Sequence, residues 1–213
     1  MRNSHFYSRR GDDGYTGLLG PERVPKYDPR PDAYGTADEA QAAMGLARAS
    51  NCTVRTGEVL LSVQRDLYSL MAELAAAGEA DSPPRRHGDG VGRFQGSITA
   101  GHVGRIEGWI AEYESQVEMP KEFVVPGDSR PGAALHLART VTRRAERLAV
   151  RLVHGGLLAN EQVLPYLNRL SSLLFVMALF EDQAVAGTGT TLAKDSVPRD
   201  PAPPGGAGAL EGR

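Results

Sequence analysis

Apolar residues recur along this chain at helical spacing in five separated stretches. The pattern turns helical from Asp32 to about Ser50. From about Thr56 to Ala77, Val59, Val63, Leu67, Leu70 and Leu74 are spaced by four, four, three and four, one face of a helix. A third stretch, about Thr99 to Val117, sets Val103, Ile106, Trp109, Ile110 and Tyr113 on one side, with Thr99 as its cap. The fourth runs from Pro131 or Gly132 to Val153 and ends at the glycine pair 155 and 156. In the fifth, about Asn160 to Val185, Val163, Leu167, Leu170, Leu174 and Met177 keep the four-three rhythm of a bundle seam. No stretch alternates convincingly at a period of two, so the periodicity predicts an all-α fold, a five-helix bundle.

The segments between these patterns divide the chain. Residues 1–31 read as a loop or arm, with GDDG at 11–14 and Pro21, Pro25, Pro29 and Pro31 blocking regular helix. The bundle occupies 32–186. Within it, 79–97 is rich in Pro, Gly and charge and is expected to be a flexible connection; its GDGVG is too weak a signal for a nucleotide loop. Residues 187–213 are expected to be a disordered Gly/Pro/Ala tail.

Length and charge narrow the function. A chain of 213 residues suits one domain, and a formal charge of −2 supplies no global basic field, so nucleic acid is not expected as a partner. The lone Cys52 excludes an internal disulfide framework and a cysteine-based metal site, and no metal-binding residues are predicted. The N-terminus lacks the apolar core of a signal peptide, and no stretch approaches the roughly 20 apolar residues of a membrane span. A soluble cytoplasmic protein with no membrane partner is expected.

The stretch from Phe123 to Arg147 concentrates the chemistry, with five arginines and Glu146 on or beside one helix. At about 100° per residue, Ala134, Ala138, Val141, Ala145, Leu148 and Leu152 lie opposite Arg139, while Arg143 and Glu146 lie close to it. Periodicity leaves two readings open. One is a solvated surface face; the other is a phosphate clamp, since guanidinium forks one turn apart suit several phosphate oxygens at once.

Three blocks in order then resemble the PduO-type ATP:corrinoid adenosyltransferases. RRGDDGYTGLLGPERVPKYDPRPDAYGTADE (9–39) resembles that family's Gly-Asp-x-Gly-x-Thr loop, its following lysine and its Tyr-Gly-Thr-x-Asp-Glu helix start. The stretch opening at Phe123 is similar to the signature of Phe, two aliphatics, Pro-Gly, then Leu-His-x-Ala-Arg-Thr and Arg-Arg-Ala-Glu-Arg. YLNRLSSLLFVMA (166–178) resembles the Asn-Arg-Leu-Ser-Asp-x-Leu-Phe pattern.

The resemblance implies a homotrimer with each active site between two subunits. There the 5′-deoxyadenosyl group of ATP, accompanied by Mg2+, passes to cob(I)alamin as substrate, giving adenosylcobalamin and triphosphate. Carried over by position, Gly11, Asp12, Gly14 and Thr16 would wrap the triphosphate and Lys26 would reach it as a point charge. Arg143 and Glu146 would line the ATP site, Arg139 would pair with Asp38 at the subunit junction, and Asn168 would meet the base or ribose. Phe123 would sit under the corrin, while His136 is expected to be a hydrogen-bonded structural residue with no role at cobalt. Arg144 and Arg147 are expected to face solvent. A reductase and an adenosylcobalamin-dependent acceptor enzyme are the further partners implied.

The departures cluster. Positions 168, 172, 175 and 179 share a helix face where the family carries Asn, Asp, an apolar residue and Arg; here they are Asn168, Ser172, Phe175 and Leu179. Pro126-Gly127-Asp128 replaces a Pro-Gly-Gly turn. Two readings follow: a working adenosyltransferase with a retuned site, or a diverged paralogue that keeps the trimer and its ATP and corrinoid binding but has lost or changed the chemistry. A helical interaction module with an arginine face is a third, supported by the charge alone.

Overall fold

A computed structural model of the chain describes residues 7, 9–76, 97–187 and 190–194. The connection expected at 79–97 therefore falls almost wholly outside the described residues, as does the tail beyond residue 194. Five helices carry the fold: α1 (Pro29–Ala49), α2 (Val54–Ala76), α3 (Ala100–Glu114), α4 (Arg130–His154) and α5 (Val163–Ala186).

Local chemistry sets their ends. Asp28 caps α1 by accepting from the Arg30 amide, 3.0 Å; Pro29 and Pro31 fall in the first turn, where the missing N–H has no intrahelical acceptor to lose. These prolines therefore open the helix that they were expected to exclude, three residues earlier than the apolar pattern suggests. Ser129 caps α4 by accepting from the Gly132 amide, 2.9 Å, and the helix closes at Gly155 with Gly156 at φ +67°. Asn160 does not begin α5. Its side chain donates to Glu73, 2.6 Å, and to the Ile98 carbonyl, 2.8 Å, and so pins the preceding loop.

α5 is the central element, with Val163, Tyr166, Leu167, Leu170, Leu174 and Met177 buried. It packs on α3 and α4, and α4 packs in turn on α1. α1 and α4 both bury alanines, Ala33, Ala37, Ala40 and Ala47 on one and Ala134, Ala138, Ala145 and Ala149 on the other, so small side chains let these two helices approach closely. Between α5 and α2, the buried Glu181 carboxylate accepts from the Thr53 amide at 3.1 Å and the Thr53 hydroxyl at 2.7 Å, which satisfies the entry to α2. Within Val163–Gln183 an 18-residue window has a mean hydropathy of 1.6, so the helix is long and apolar enough for a membrane span, contrary to the expectation from sequence; 61% of that window is buried inside this bundle.

Two short strands, β1 (Tyr15–Gly17) and β2 (Arg23–Pro25), form an antiparallel hairpin in the region expected to be an irregular loop. Three residues per strand are too few to show alternation. The tail also begins in order: Val124 and Leu192 form an antiparallel bridge, and residues 190–194 lie along the segment before α4.

Candidate active site

The glycine loop is shaped from inside. Asp13 accepts from the Tyr15 amide at 3.1 Å and from Arg23 Nη2 at 2.9 Å, and the same guanidinium nitrogen donates to the Arg10 carbonyl at 2.6 Å. The Arg23 hydrogen bond holds the Asp13 carboxyl below its ordinary range. Gly14 at φ +83° turns the chain where a side chain would be strained. Lys26 then closes over the loop, its amide donating to the Gly14 carbonyl at 2.9 Å and its Nζ to the Gly11 carbonyl at 2.7 Å. A Cβ at residue 11 would lie 3.2 Å from that ammonium, so glycine permits the approach. The predicted residues Gly11, Asp12, Gly14, Thr16 and Lys26 are thus brought together. Lys26 also lines an open cleft of about 410 Å³ with Tyr27, Pro31, Asp32, Thr36 and Glu39 of the α1 side.

The second group lies along α4 and α5, which run antiparallel. Glu146 accepts from Asn168 Nδ2 at 2.9 Å. Nearer the start of α4, the Arg139 guanidinium lies 5.9 Å from the centre of the Phe175 ring, and His136 meets the same ring edge to face at 5.9 Å. Further still, Ser129 Oγ donates to Asp182 Oδ1 at 2.6 Å, directly beside Gly132.

Buried polar atoms on this face lack partners among the described residues. Both ring nitrogens of His136, Nε of Arg139 and Oδ2 of Asp182 accept or donate no hydrogen bond there. Burial, with the Arg139 charge beside it, lowers the His136 pKa to about 4. Burial likewise raises the Asp182 carboxyl, against the hydrogen bond from Ser129. Arg139 is lowered by burial and by the neighbouring Arg143. His136, expected to be hydrogen-bonded, has no hydrogen-bond partner among the described residues; Arg139, for which periodicity left a solvated face and a phosphate clamp open, is half-buried beside Phe175 of α5.

Phe123 stands on the segment before α4 with 85% of its surface exposed. Its backbone is held firmly. The Phe123 carbonyl accepts from the Ala193 amide at 2.7 Å, and Asp128 accepts from both the Thr191 hydroxyl, 2.6 Å, and the Thr191 amide, 2.8 Å. Asp128, which replaces the second glycine of the expected turn, is therefore a tether for the start of the tail.

No hydrogen bond or ion pair among the described residues joins the loop group to Arg139, Arg143, Glu146 or Asn168. Asp38 is exposed on α1 and makes no ion pair with Arg139 within the chain. Arg144 and Arg147 are exposed, as expected, and Arg144 also forms an exposed ion pair with Glu39 across α1 and α4. The strip 168, 172, 175, 179 does not stay open along its length: Asn168 and Phe175 are half-buried, Ser172 is exposed and Leu179 is fully buried. An apolar residue at 179 suits that burial. Reading the sequence missed Asp13, Arg23 and Asp182; the first two were visible only as unassigned charges, while Gly132 in the opening turn of a helix hinted at a close neighbour.

Comparison with known proteins shows the family. The profile of the cobalamin adenosyltransferase family matches residues 6–181. A corrinoid adenosyltransferase of Mycobacterium tuberculosis is 40% identical over 180 residues, covering 82% of this chain and 87% of the relative. The corrinoid adenosyltransferase PduO of Salmonella typhimurium is 35% identical over 177 residues, which are 83% of this chain and 49% of that one. Among solved structures, a variant PduO-type ATP:corrinoid adenosyltransferase from Lactobacillus reuteri, complexed with cobalamin and ATP, superposes with a TM-score of 0.76 at 30% identity, covering 89% of this chain and 99% of the other.

Proposed function

This chain belongs to the PduO-type cobalamin adenosyltransferase family, and from that premise we propose that it transfers the 5′-deoxyadenosyl group of ATP to cob(I)alamin at sites between the subunits of a homotrimer. The corrinoid, as substrate, supplies the cobalt nucleophile. A cobalt–carbon bond forms at C5′ while the bond from C5′ to oxygen breaks, and triphosphate leaves with the electron pair. No side-chain nucleophile is required, so the protein contributes positioning and cations.

The observation that carries this reading is Phe123, a large apolar ring left 85% exposed on a backbone segment that is itself hydrogen-bonded in place. A ring fixed outward has no packing role in its own subunit. Under a corrin it would offer the metal no donor atom, which favours reduction at that face. Lys26 and Arg143 would meet charge building on the triphosphate, with the amides around Gly11, Asp12, Gly14 and Thr16 wrapping its oxygens. Among the described residues no group of three or more acidic, His or Cys side chains could hold a metal unaided, so Mg2+ would be held through the phosphates.

Two unmatched charges support the location between subunits. Among the described residues Arg139 has no acid partner and Asp38 no basic one, so each is available to the other across a junction. A buried pair of that kind fixes register more than it adds stability. Supply of the Co(I) state calls for a reductase, and the product for an acceptor enzyme.

Anaerobic mixing of the protein with chemically reduced cob(I)alamin and ATP tests the proposal, with the adenosylcobalamin spectrum and free triphosphate as the expected result. ATP binding without product would favour the diverged paralogue, and a monomer by light scattering would remove the site between subunits.

A further inference from the structure

The contacts of Asn168 extend beyond Glu146. Arg169 Nη1 donates to Asn168 Oδ1 at 2.7 Å, and Arg169 Nε donates to Glu107 Oε1 of α3 at 3.1 Å. The amide therefore stands between a group that only donates and a group that only accepts, Arg169 at its oxygen and Glu146 at its nitrogen. Reversing it would set donor against donor at one end and acceptor against acceptor at the other.

We infer that Arg169, held by Glu107, is a positioning residue that locks the Asn168 amide so that it meets the nucleoside of ATP as a hydrogen-bond donor. This rests on the reading of Asn168 and Glu146 as residues facing the nucleotide. Glu146 takes one proton of the amide nitrogen and leaves the other for a ligand. The matching nucleoside group is an acceptor, a ring nitrogen of the base or an oxygen of the ribose.

The energetics favour positioning over stabilisation. Arg169 and Glu107 side chains are 43% and 51% exposed, and an ion pair that open contributes roughly 0–1 kcal/mol to folding. What the pair supplies is direction. Without Arg169 the amide turns about a terminal torsion that is broad and only weakly restrained, with Glu146 as its sole anchor.

Calorimetric ATP titration and steady-state kinetics on the full chain, as Arg169→Met, Arg169→Lys and Glu107→Gln, test the assignment. Arg169→Met is expected to weaken ATP binding and raise its KM roughly tenfold, the loss of about one oriented hydrogen bond, with the corrinoid KM and the unfolding midpoint unchanged. Lysine at 169 still donates and should recover most of the loss, to within about threefold, while Glu107→Gln should cost only about twofold. Unchanged ATP affinity in Arg169→Met would overturn the inference. So would a parallel rise in both KM values with a lower unfolding midpoint, which marks a structural role. ATP affinity is read without corrinoid, so a wild-type protein that binds ATP but forms no product overturns the proposed function alone; one that binds no ATP overturns both.

Discussion

The glycine loop and the α4–α5 face are both rich in charge, but only the face keeps buried polar atoms without a partner among the described residues. Asp13 meets Arg23, Arg23 also holds the Arg10 carbonyl, and Lys26 rests on Gly11. Along α4 and α5, by contrast, His136, Arg139 and Asp182 keep buried polar atoms with no partner among the described residues. Each such atom costs roughly 1–3 kcal/mol if it stays unpaired. A loop that closes on itself can hold its shape before any ligand arrives. The helical face leaves those atoms open to a further partner, which under the proposed function a second subunit or a substrate would supply.

The sharpest way to break this contrast is to remove a cation from the open face. Arg143 is exposed and its side chain has no partner among the described residues, so it is free to meet an anion. Arg143→Ala should lower turnover roughly 10²–10³-fold, in line with loss of a charge-stabilising group, and leave the proposed trimer intact. Arg139→Ala should lower turnover less and also loosen assembly, read by light scattering across a dilution series. Equal and mild effects would return both arginines to the status of a solvated face.

A smaller effect is expected where α4 begins. A Cβ at residue 132 would lie 2.0 Å from Asp182 Oδ1 and 2.8 Å from Ser129 Oγ, so neither neighbour can remain where it is. Gly132→Ala should destabilise the fold by about 2–3 kcal/mol in urea unfolding, because the displaced carboxylate is buried and loses the serine that satisfies it. A loss under about 1 kcal/mol would mean that Asp182 swings away freely and that this end of the face is loosely packed.

Asp182 also shows where reading the sequence stops. Spacing by three and four identified all five helices, since each buries a stripe against a neighbour. The three-residue strands were invisible because so short a segment cannot display a period. Spacing placed 168, 172, 175 and 179 on one face of α5 correctly, but it could not say where along that face the covering begins. Leu179 is fully buried while Ser172 is exposed. Periodicity left the surroundings of Arg139 open for a related reason: α4 packs between α1 and α5, and a single apolar arc describes only one of two covered sides. The loop residues were legible through resemblance, whereas Asp13 with Arg23 and Glu107 with Arg169 join positions too far apart in sequence for any local pattern to link them.

His136 turns the contrast into a pH dependence. Its imidazole is buried beside the Arg139 charge, and its pKa falls from 6.5 to about 4. The unfolded chain takes up a proton as pH drops through 6.5, while the folded chain does not until about 4. The unfolded state therefore binds more protons between those values, and stability declines as pH falls through that window. From pH 7 to 5.5 the decline due to this residue is about 1 kcal/mol. His136→Gln removes the titration and leaves every other group as background. Urea unfolding at the two pH values should show the wild type losing about 1 kcal/mol more than the variant. If the two proteins decline in parallel, the imidazole is not held neutral in solution. An acid from another subunit would produce that result by raising the pKa again, so the same measurement reports whether this part of the open face is closed by a polar partner.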